Sequence, residues 1–379
     1  MKVLIANIGS TSFKYRLFDM NGAVVMAQGR IERIGQAGSA CPNYEAALGE
    51  CLEGTVGPGK ALANLAELAA IGFKAVHAGP LGGARVVDES VLRAMEEYRF
   101  LAPAHNPPYI AAMRAFRKRL PEMPLVALFE TAFFDSLDEA TVTYGVPHAW
   151  KEKDGVRRYG FHGASHRAAS LRACELVGGT DVRHISCHLG GSSSLAAIRG
   201  GVAVDTSFGM SPQSGLPQNN RTGDLDVFAA LYMMEKHGIG VQEMARKLAS
   251  ESGLAGIAGG TGDIRDLTAG AAGGDKRARL ALDVYIRAVR HYLGAFLVEL
   301  GGVDVVTFSG GIGENSAEVR AGVCVGLAEL GIVLDEERNR RVKGEGKISA
   351  DGAKAVWVLP ADEEIVVARA VAEVLGSRG

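Results

Sequence analysis

The chain has 379 residues and sets 41 Lys and Arg against 43 Asp and Glu, a formal charge of −2, so it carries no cationic surplus for a polyanion and excludes nucleic acid as an expected partner. Apolar residues make up 47% and charged residues 22%, an ordinary globular composition, and the length exceeds one ordinary core, so two domains are expected. The five cysteines, Cys41, Cys51, Cys174, Cys187 and Cys324, include no C-x-x-C pair, which argues against a disulfide framework or a zinc site and for a reducing, cytoplasmic setting.

Residues 3–6 form an apolar run too short for a secretory signal, and no later stretch approaches a membrane span, so no membrane partner is expected. Residues 3–12 read as a strand entering a Gly/Ser turn, and residues 13–19 as the strand that leaves it, a β-hairpin. Helices are predicted over 44–52 and 62–70, a short strand over 75–77, and a helix over 90–98. A proline break at 103–108 precedes a helix over 109–120 and a buried strand over 125–129. The polar stretch 150–158 marks the domain boundary, because strand-helix alternation restarts beyond it. This gives domains at 1–149 and 150–361, with a last helix over about 362–379 packing back on the first.

The second half repeats the plan. Residues 185–194 and 195–199 write the first hairpin again. Long helices are predicted over 226–236 and 275–300, the latter with Ala278, Leu282, Tyr285, Val289 and Leu293 at helical spacing. A strand over 305–308 enters a third glycine turn at 309–315, ahead of a helix over 317–330. A strand over 355–359 then leads to Glu363 and a C-terminal helix through residue 375.

Glycine lets a backbone approach an oxyanion and aim N–H groups at it, and Ser or Thr adds donors without bulk. Three such turns spread over both halves therefore point to phosphate held in an interdomain cleft. Phosphoryl chemistry also needs cations, a metal carboxylate and a positioned polar group. Lys14 and Arg221 are the candidate cations, with solvated surface charge as the alternative for each. Glu130 and Glu363 stand at strand ends, where α/β proteins place active residues; helix capping stays open for Glu363. His162 and His166 have i, i+4 spacing, but Gly163 between them argues against a regular helix and a metal pair.

Asn7-Ile8-Gly9-Ser10-Thr11-Ser12-Phe13-Lys14, Tyr159-Gly160-Phe161-His162-Gly163-Ala164-Ser165-His166 and Gly310-Gly311-Ile312-Gly313-Glu314-Asn315-Ser316 resemble the signatures of acetate kinase and its acyl-kinase relatives, in order and spacing along nearly the whole chain. The resemblance implies an α/β, actin-like fold of two ribonuclease-H-like domains around a central cleft, ATP or ADP as co-substrate, Mg2+ or Mn2+ as cofactor, a small carboxylate as substrate, and a homodimer. By motif match, Asn7 and Glu363 support the metal. Ser10, Ser12, Lys14 and the turn of His188, Leu189, Gly190, Gly191 and Ser192 contact phosphates. Asp263, Ile264 and Arg265, with Gly311, Ile312, Gly313, Glu314 and Asn315, bind nucleotide. His162 and Arg221 stabilise the moving phosphoryl group, Glu130 is the catalytic carboxylate, Lys74 orients the substrate, and Val76, Ala104, Phe161 and Pro212 wall the acyl pocket.

Several positions depart from the family pattern. Glu130 stands where the family has Asp, and Lys74 where it has Arg, which turns a bidentate fork into a point charge. Gly191 replaces the Asn of the H-L-G-N-G turn, and Asn219-Asn220 replace Gly-Thr ahead of Arg221. Ala104 replaces a Leu, leaving room for an acyl group larger than acetate. The expected activity is reversible phosphoryl transfer between ATP and a small carboxylate such as acetate, propionate or a somewhat larger acid. The alternatives are another acceptor or donor, pyrophosphate among them, and a nucleotide-sensing relative without turnover. A dinucleotide oxidoreductase lacks support, since the turn at Gly9 leads into a strand rather than a helix.

Overall fold

A computed structural model of the chain describes residues 1–9, 11–36, 38–39 and 41–377. It divides into two compact units, Met1–Asp135 joined by Asp362–Gly379, and Ser136–Ala361.

The first unit is built on a sheet of β1 (Lys2–Ile8), β2 (Ser12–Asp19), β3 (Val24–Glu32), β4 (Leu68–Ala75), β5 (Ala84–Val86) and β6 (Leu125–Phe129), in the order β3-β2-β1-β4-β6-β5. β1, β2 and β3 run antiparallel in sequence, β4 and β6 run parallel to β1, and β5 closes the edge antiparallel. The second unit contains β7 (Arg183–Leu189), β8 (Ser193–Arg199), β9 (Val202–Thr206), β10 (Val305–Ser309), β11 (Gly346–Lys347) and β12 (Ala355–Val358), in the order β11-β12-β10-β7-β8-β9. Read from its other edge, this is the same topology, strand for strand, with β7 in the place of β1. Each unit is thus ribonuclease-H-like, and the duplicated pair is the actin-like fold.

The hairpins at 3–19 and 185–199 are present in register. Ile8 pairs with Phe13 and Leu189 with Ser193, and the tips close through Gly9 N–H to Ser12 O at 2.8 Å and Gly190 N–H to Ser192 O at 3.1 Å. The expected helix over 62–70 is instead a single 3-10 turn, Leu65–Glu67, followed by β4. β4 lies between β1 and β6 and is buried on both faces, so its sequence shows no alternation and reads like an apolar helix. A Cβ on Gly72 of this strand would come within 2.7 Å of Val371 and 2.8 Å of Ile5, so the glycine admits the helix Glu363–Gly376, which buries Val366, Val367 and Val371 in the first unit.

Two further expectations are corrected. The third glycine segment is a helix, Gly310–Asn315, rather than an open turn: Gly310, at φ +75°, swings the chain out of β10, and a Cβ there would lie 2.6 Å from Leu189 O. Gly163 does not interrupt a helix either but begins one, Gly163–Val177. The unit boundary falls at Asp135/Ser136, ahead of the polar stretch at 150–158. The intervening segment is tied to the second unit, through Ser136 Oγ to Ala203 O at 3.0 Å and Met210 N–H to Tyr144 Oη at 2.9 Å.

Each unit has its own core. In the first, Phe116 packs edge-on to Phe13 at 5.6 Å between centroids and lies 5.4 Å from Phe73. In the second, the helix Lys276–Glu299, capped by Asp275, buries Ala278, Leu282, Tyr285, Val289 and Leu293, as their spacing predicts. Among the described residues no helix is long and apolar enough to cross a membrane.

Candidate active site

In the first unit, the charged residues gather at strand ends. Asn7 and Lys14 pair directly across β1 and β2. Tyr109 Oη donates to Asn7 Oδ1 at 3.4 Å and accepts from Ile8 N–H at 3.1 Å; burial pushes this phenol's pKa up, so it stays a neutral donor. Lys74 lies near the end of β4, Glu130 follows β6 with its N–H bonded to Ala75 O at 2.9 Å, and Glu363 opens the C-terminal helix. Lys74 Nζ donates to Glu363 Oε2 at 2.5 Å and stands 3.7 Å from Glu130 Oε1. Burial favours the neutral amine, but the Glu363 and Glu130 carboxylates outweigh it and raise the lysine above its ordinary pKa. Glu363 therefore does not act as a helix cap; Asp362 holds that position. Val76 is buried just beyond β4, whereas Ala104 is exposed ahead of the helix Asn106–Arg119, and Ser12 opens β2. Ser10 lies outside the described residues.

In the second unit, a chain of hydrogen bonds reaches His162. His166 Nδ1 meets Ser186 Oγ at 2.9 Å, His166 Nε2 meets Ser194 Oγ at 2.8 Å, and the same hydroxyl meets His162 Nδ1 at 2.8 Å. Both nitrogens of His166 thus face hydroxyls. Burial, then His188 and His184, hold its pKa well below the ordinary histidine value, so it is neutral. His162 caps the helix Gly163–Val177 with φ +59°, a left-handed conformation that costs a non-glycine residue energy and marks functional positions. Its ring lies 4.4 Å from that of His188, whose Nδ1 meets Ser165 Oγ at 2.7 Å. Phe161 is buried edge-on to Phe208 at 5.5 Å.

Arg221 is half-buried, and burial lowers its pKa. Its Nη1 donates to Ser192 Oγ at 3.4 Å, Pro212 O at 3.3 Å and Gln218 Oε1 at 3.3 Å. These bonds aim a guanidinium at the tip of the β7–β8 hairpin. Beside that tip opens a cavity of about 720 Å³ lined by Gly190, Gly191, Asn219, Asp263, Ile264, Arg265, Thr268, Gly311, Ile312, Asn315 and Ser316. The hairpin and the 310–315 helix converge here, since a Cβ on Gly190 would lie 3.9 Å from Gly311 N. Asp263 and Arg265 form a two-point ion pair at the cavity, at 2.6 and 3.0 Å. A second cavity, about 700 Å³, is lined by Thr222, Asp224, Glu251 and Tyr292 and holds none of the predicted residues.

Most of the predicted nucleotide residues line the first cavity together. Leu189 belongs instead to the hydrophobic core, Gly313 packs against Phe308, and Glu314 Oε1 accepts from Ala361 N–H at 3.4 Å. Motif spacing gave no role to Tyr109, Ser186, Ser194, Thr268 or Ser316, although Ser186 and Ser194 lie in the second hairpin and Ser316 closes the third matched segment. The sequence marks Asn219 as a departure without showing where its side chain lies.

The donor set suits a divalent ion that keeps most of its waters. Among the described residues no three His, Cys, Asp or Glu side chains group into a protein cage. Glu363 and Asn7 offer oxygen alone, which matches Mg2+ bound by one or two protein oxygens plus substrate phosphate.

Duplicated ribonuclease-H-like units with a glycine-lined cavity and charged strand ends define a phosphotransferase of the actin-like class. Residues 2–369 match the Acetokinase family, and the chain belongs to it. It is 40% identical over 396 residues to the acetate kinase of Carboxydothermus hydrogenoformans, covering 99% of both chains, and 41% identical over 389 residues to that of Bacteroides fragilis, covering 97% of this chain and 98% of the relative. Among solved structures, Porphyromonas gingivalis acetate kinase superposes with a TM-score of 0.89 at 35% identity, over 99% of each chain. A propionate kinase from Francisella tularensis gives 0.88 at 29% identity, over 97% of this chain and 98% of the other. The chain is a kinase that takes a carboxyl group as acceptor.

Proposed function

We propose that this chain carries out in-line transfer between ATP and a short carboxylic acid, acetate, propionate or a somewhat larger one, with the second unit as the nucleotide-binding domain. The observation that carries the reading is the 720 Å³ cavity at the β7–β8 tip, where residues drawn from three separated motifs meet beside Arg221. Its Asp263–Arg265 pair lies beyond the glycine turns, which favours a nucleoside polyphosphate over pyrophosphate.

A carboxylate oxygen of the acid attacks the γ-phosphorus, the bond from phosphorus to the ADP oxygen breaks, and acyl phosphate and ADP result; no proton has to move. Lys74 orients the acid and offsets the charge of Glu130 and Glu363. Glu130 positions substrate. Arg221 and His162 offset charge on the equatorial oxygens as the phosphoryl group passes. Phe161, Pro212 and Val76 are assigned to the acyl group, and the small side chain of Ala104 to tolerance of a larger acid. Lys14, Ser10, Ser12, His188 and Ser192 contact phosphates. Glu363 and Asn7 would hold Mg2+, which would supply positive charge against the phosphates.

The protein works as a cytoplasmic homodimer in this reading. The helix Val227–His237 buries none of its residues within the chain, and Phe228 is 71% exposed beside exposed Val227, Leu231 and Tyr232. Such a patch suits a second copy.

Hydroxamate trapping of acyl phosphate, with ATP and a panel of short and branched carboxylates, tests the reading. Product with one or more acids is expected. Folded, Mg2+-saturated protein that yields none with any acid overturns it.

A further inference from the structure

We propose that Asn219 is a phosphate-binding residue of the nucleotide cavity, supplying from a different stretch of chain the carboxamide that the family pattern places at position 191. The inference rests on the nucleotide reading above and names one of its contacts.

Gly191 sits at the exposed tip between β7 and β8. A Cβ built on it would lie 3.5 Å from Asn219 Nδ2 and 3.8 Å from Asn219 Cγ, ordinary van der Waals distances. A longer side chain at 191 would therefore enter the space where the Asn219 amide already stands. A carboxamide carried by either residue would reach the same side of the cavity. The two departures from the family pattern, loss of Asn at 191 and gain of Asn at 219, are spatially one exchange.

The Asn219 backbone is fixed. Its N–H donates to Gly191 O at 3.1 Å and its carbonyl accepts from Ala255 N–H at 2.8 Å. Gly262 presses on it so closely that a Cβ there would lie 2.0 Å from Asn219 O. The half-buried side chain, by contrast, makes no hydrogen bond to any described residue and lines the cavity with Gly190, Gly191 and Gly311. A rigid backbone that presents a neutral donor to a glycine-lined cavity is preorganised for an anionic oxygen, with Nδ2 as the donor. Its neutrality fits a cavity that must also release ADP.

Calorimetric titration with MgADP and with adenosine tests the assignment in wild-type protein, Asn219→Ala, and the double exchange Gly191→Asn with Asn219→Gly. Asn219→Ala is expected to raise the ADP Kd about tenfold, the worth of a hydrogen bond to a charged group, and to leave adenosine binding unchanged. The double exchange restores ADP binding to within about threefold of wild type, because the amide returns to the same space. An Asn219→Ala protein with wild-type ADP affinity, or one that loses ADP and adenosine equally, overturns the assignment while the nucleotide reading stands. Wild-type protein that binds neither ligand overturns both.

Discussion

Lys74 Nζ lies 2.5 Å from Glu363 Oε2, joining residues 289 positions apart in the sequence, and the same ammonium stands 3.7 Å from Glu130 Oε1. One cation thus serves two carboxylates, and the three side chains are no more than 18% exposed. Lys74→Met would leave two carboxylates crowded in low dielectric. Breaking a buried pair in this way costs roughly 3–5 kcal/mol, so the urea midpoint of the first unit is expected to fall sharply. Activity should fall as well, through a raised KM for the acid. A variant with unchanged stability would show that the lysine carries no electrostatic load.

Arg221 Nη1 donates to oxygens of Ser192, Pro212 and Gln218, neutral partners that position the guanidinium without cancelling its charge. Such a group acts where negative charge is redistributed during transfer. Arg221→Ala is expected to lower kcat by about 10²–10³-fold, the loss typical of one preorganised electrostatic donor, with little change in ADP affinity. Loss of ADP binding in parallel with kcat would make Arg221 a ground-state ligand instead.

Ser194 Oγ touches two ring nitrogens but owns one hydrogen, so it donates to one ring and accepts from the other. The tautomers of His162 and His166 are therefore coupled. When His162 Nδ1 accepts from Ser194, the neutral ring carries its hydrogen on Nε2. Ser194→Ala releases that constraint; kcat is expected to drop roughly fivefold to tenfold, the worth of one hydrogen bond, and Ser194→Thr should restore it. Nitrogen NMR shifts of His162 should change in the alanine variant. If they do not, Ser194 serves packing alone.

The duplicated hairpins were legible because the pattern is local: alternating strands about a short glycine tip. The long helix at 276–299 was legible for the same reason, through Leu282, Tyr285 and Val289 on one stripe. β4 was not, because a strand buried on both faces loses its alternation, and Gly72 is explained only by Val371 arriving from the far end of the chain. The site divides likewise. Residues inside motifs could be placed, whereas Tyr109 against Asn7, or Asn219 against Gly191, depend on tertiary proximity that no local spacing encodes.

Phe228 stands out on a helix with no buried residue. Phe228→Asp places a charge in the middle of the apolar patch and is expected to convert a dimer to monomer in light scattering at micromolar concentration, with the isolated fold intact, because an unpaired charge at an interface core is strongly disfavoured. A dimer unaffected by this change would move the interface to another face.

His184 and His166 give the second unit an acid limit. His184 is buried on β7, with Nε2 at 2.8 Å from Thr307 Oγ1, and burial lowers its pKa to about 3. The unfolded chain titrates near the ordinary histidine value of about 6.5, so between that pH and about 3 the unfolded state binds the extra proton. Stability is then fully present above pH ~6.5 and falls as the pH drops, by up to ~1.4 kcal/mol per pH unit for this one residue. His166, also lowered, adds to the same slope. His184→Gln is expected to flatten the loss of Tm between pH 6.5 and 4.5 by about one proton's worth while leaving some slope from His166. Parallel pH profiles for the two proteins would place the acid sensitivity elsewhere, in the carboxylates.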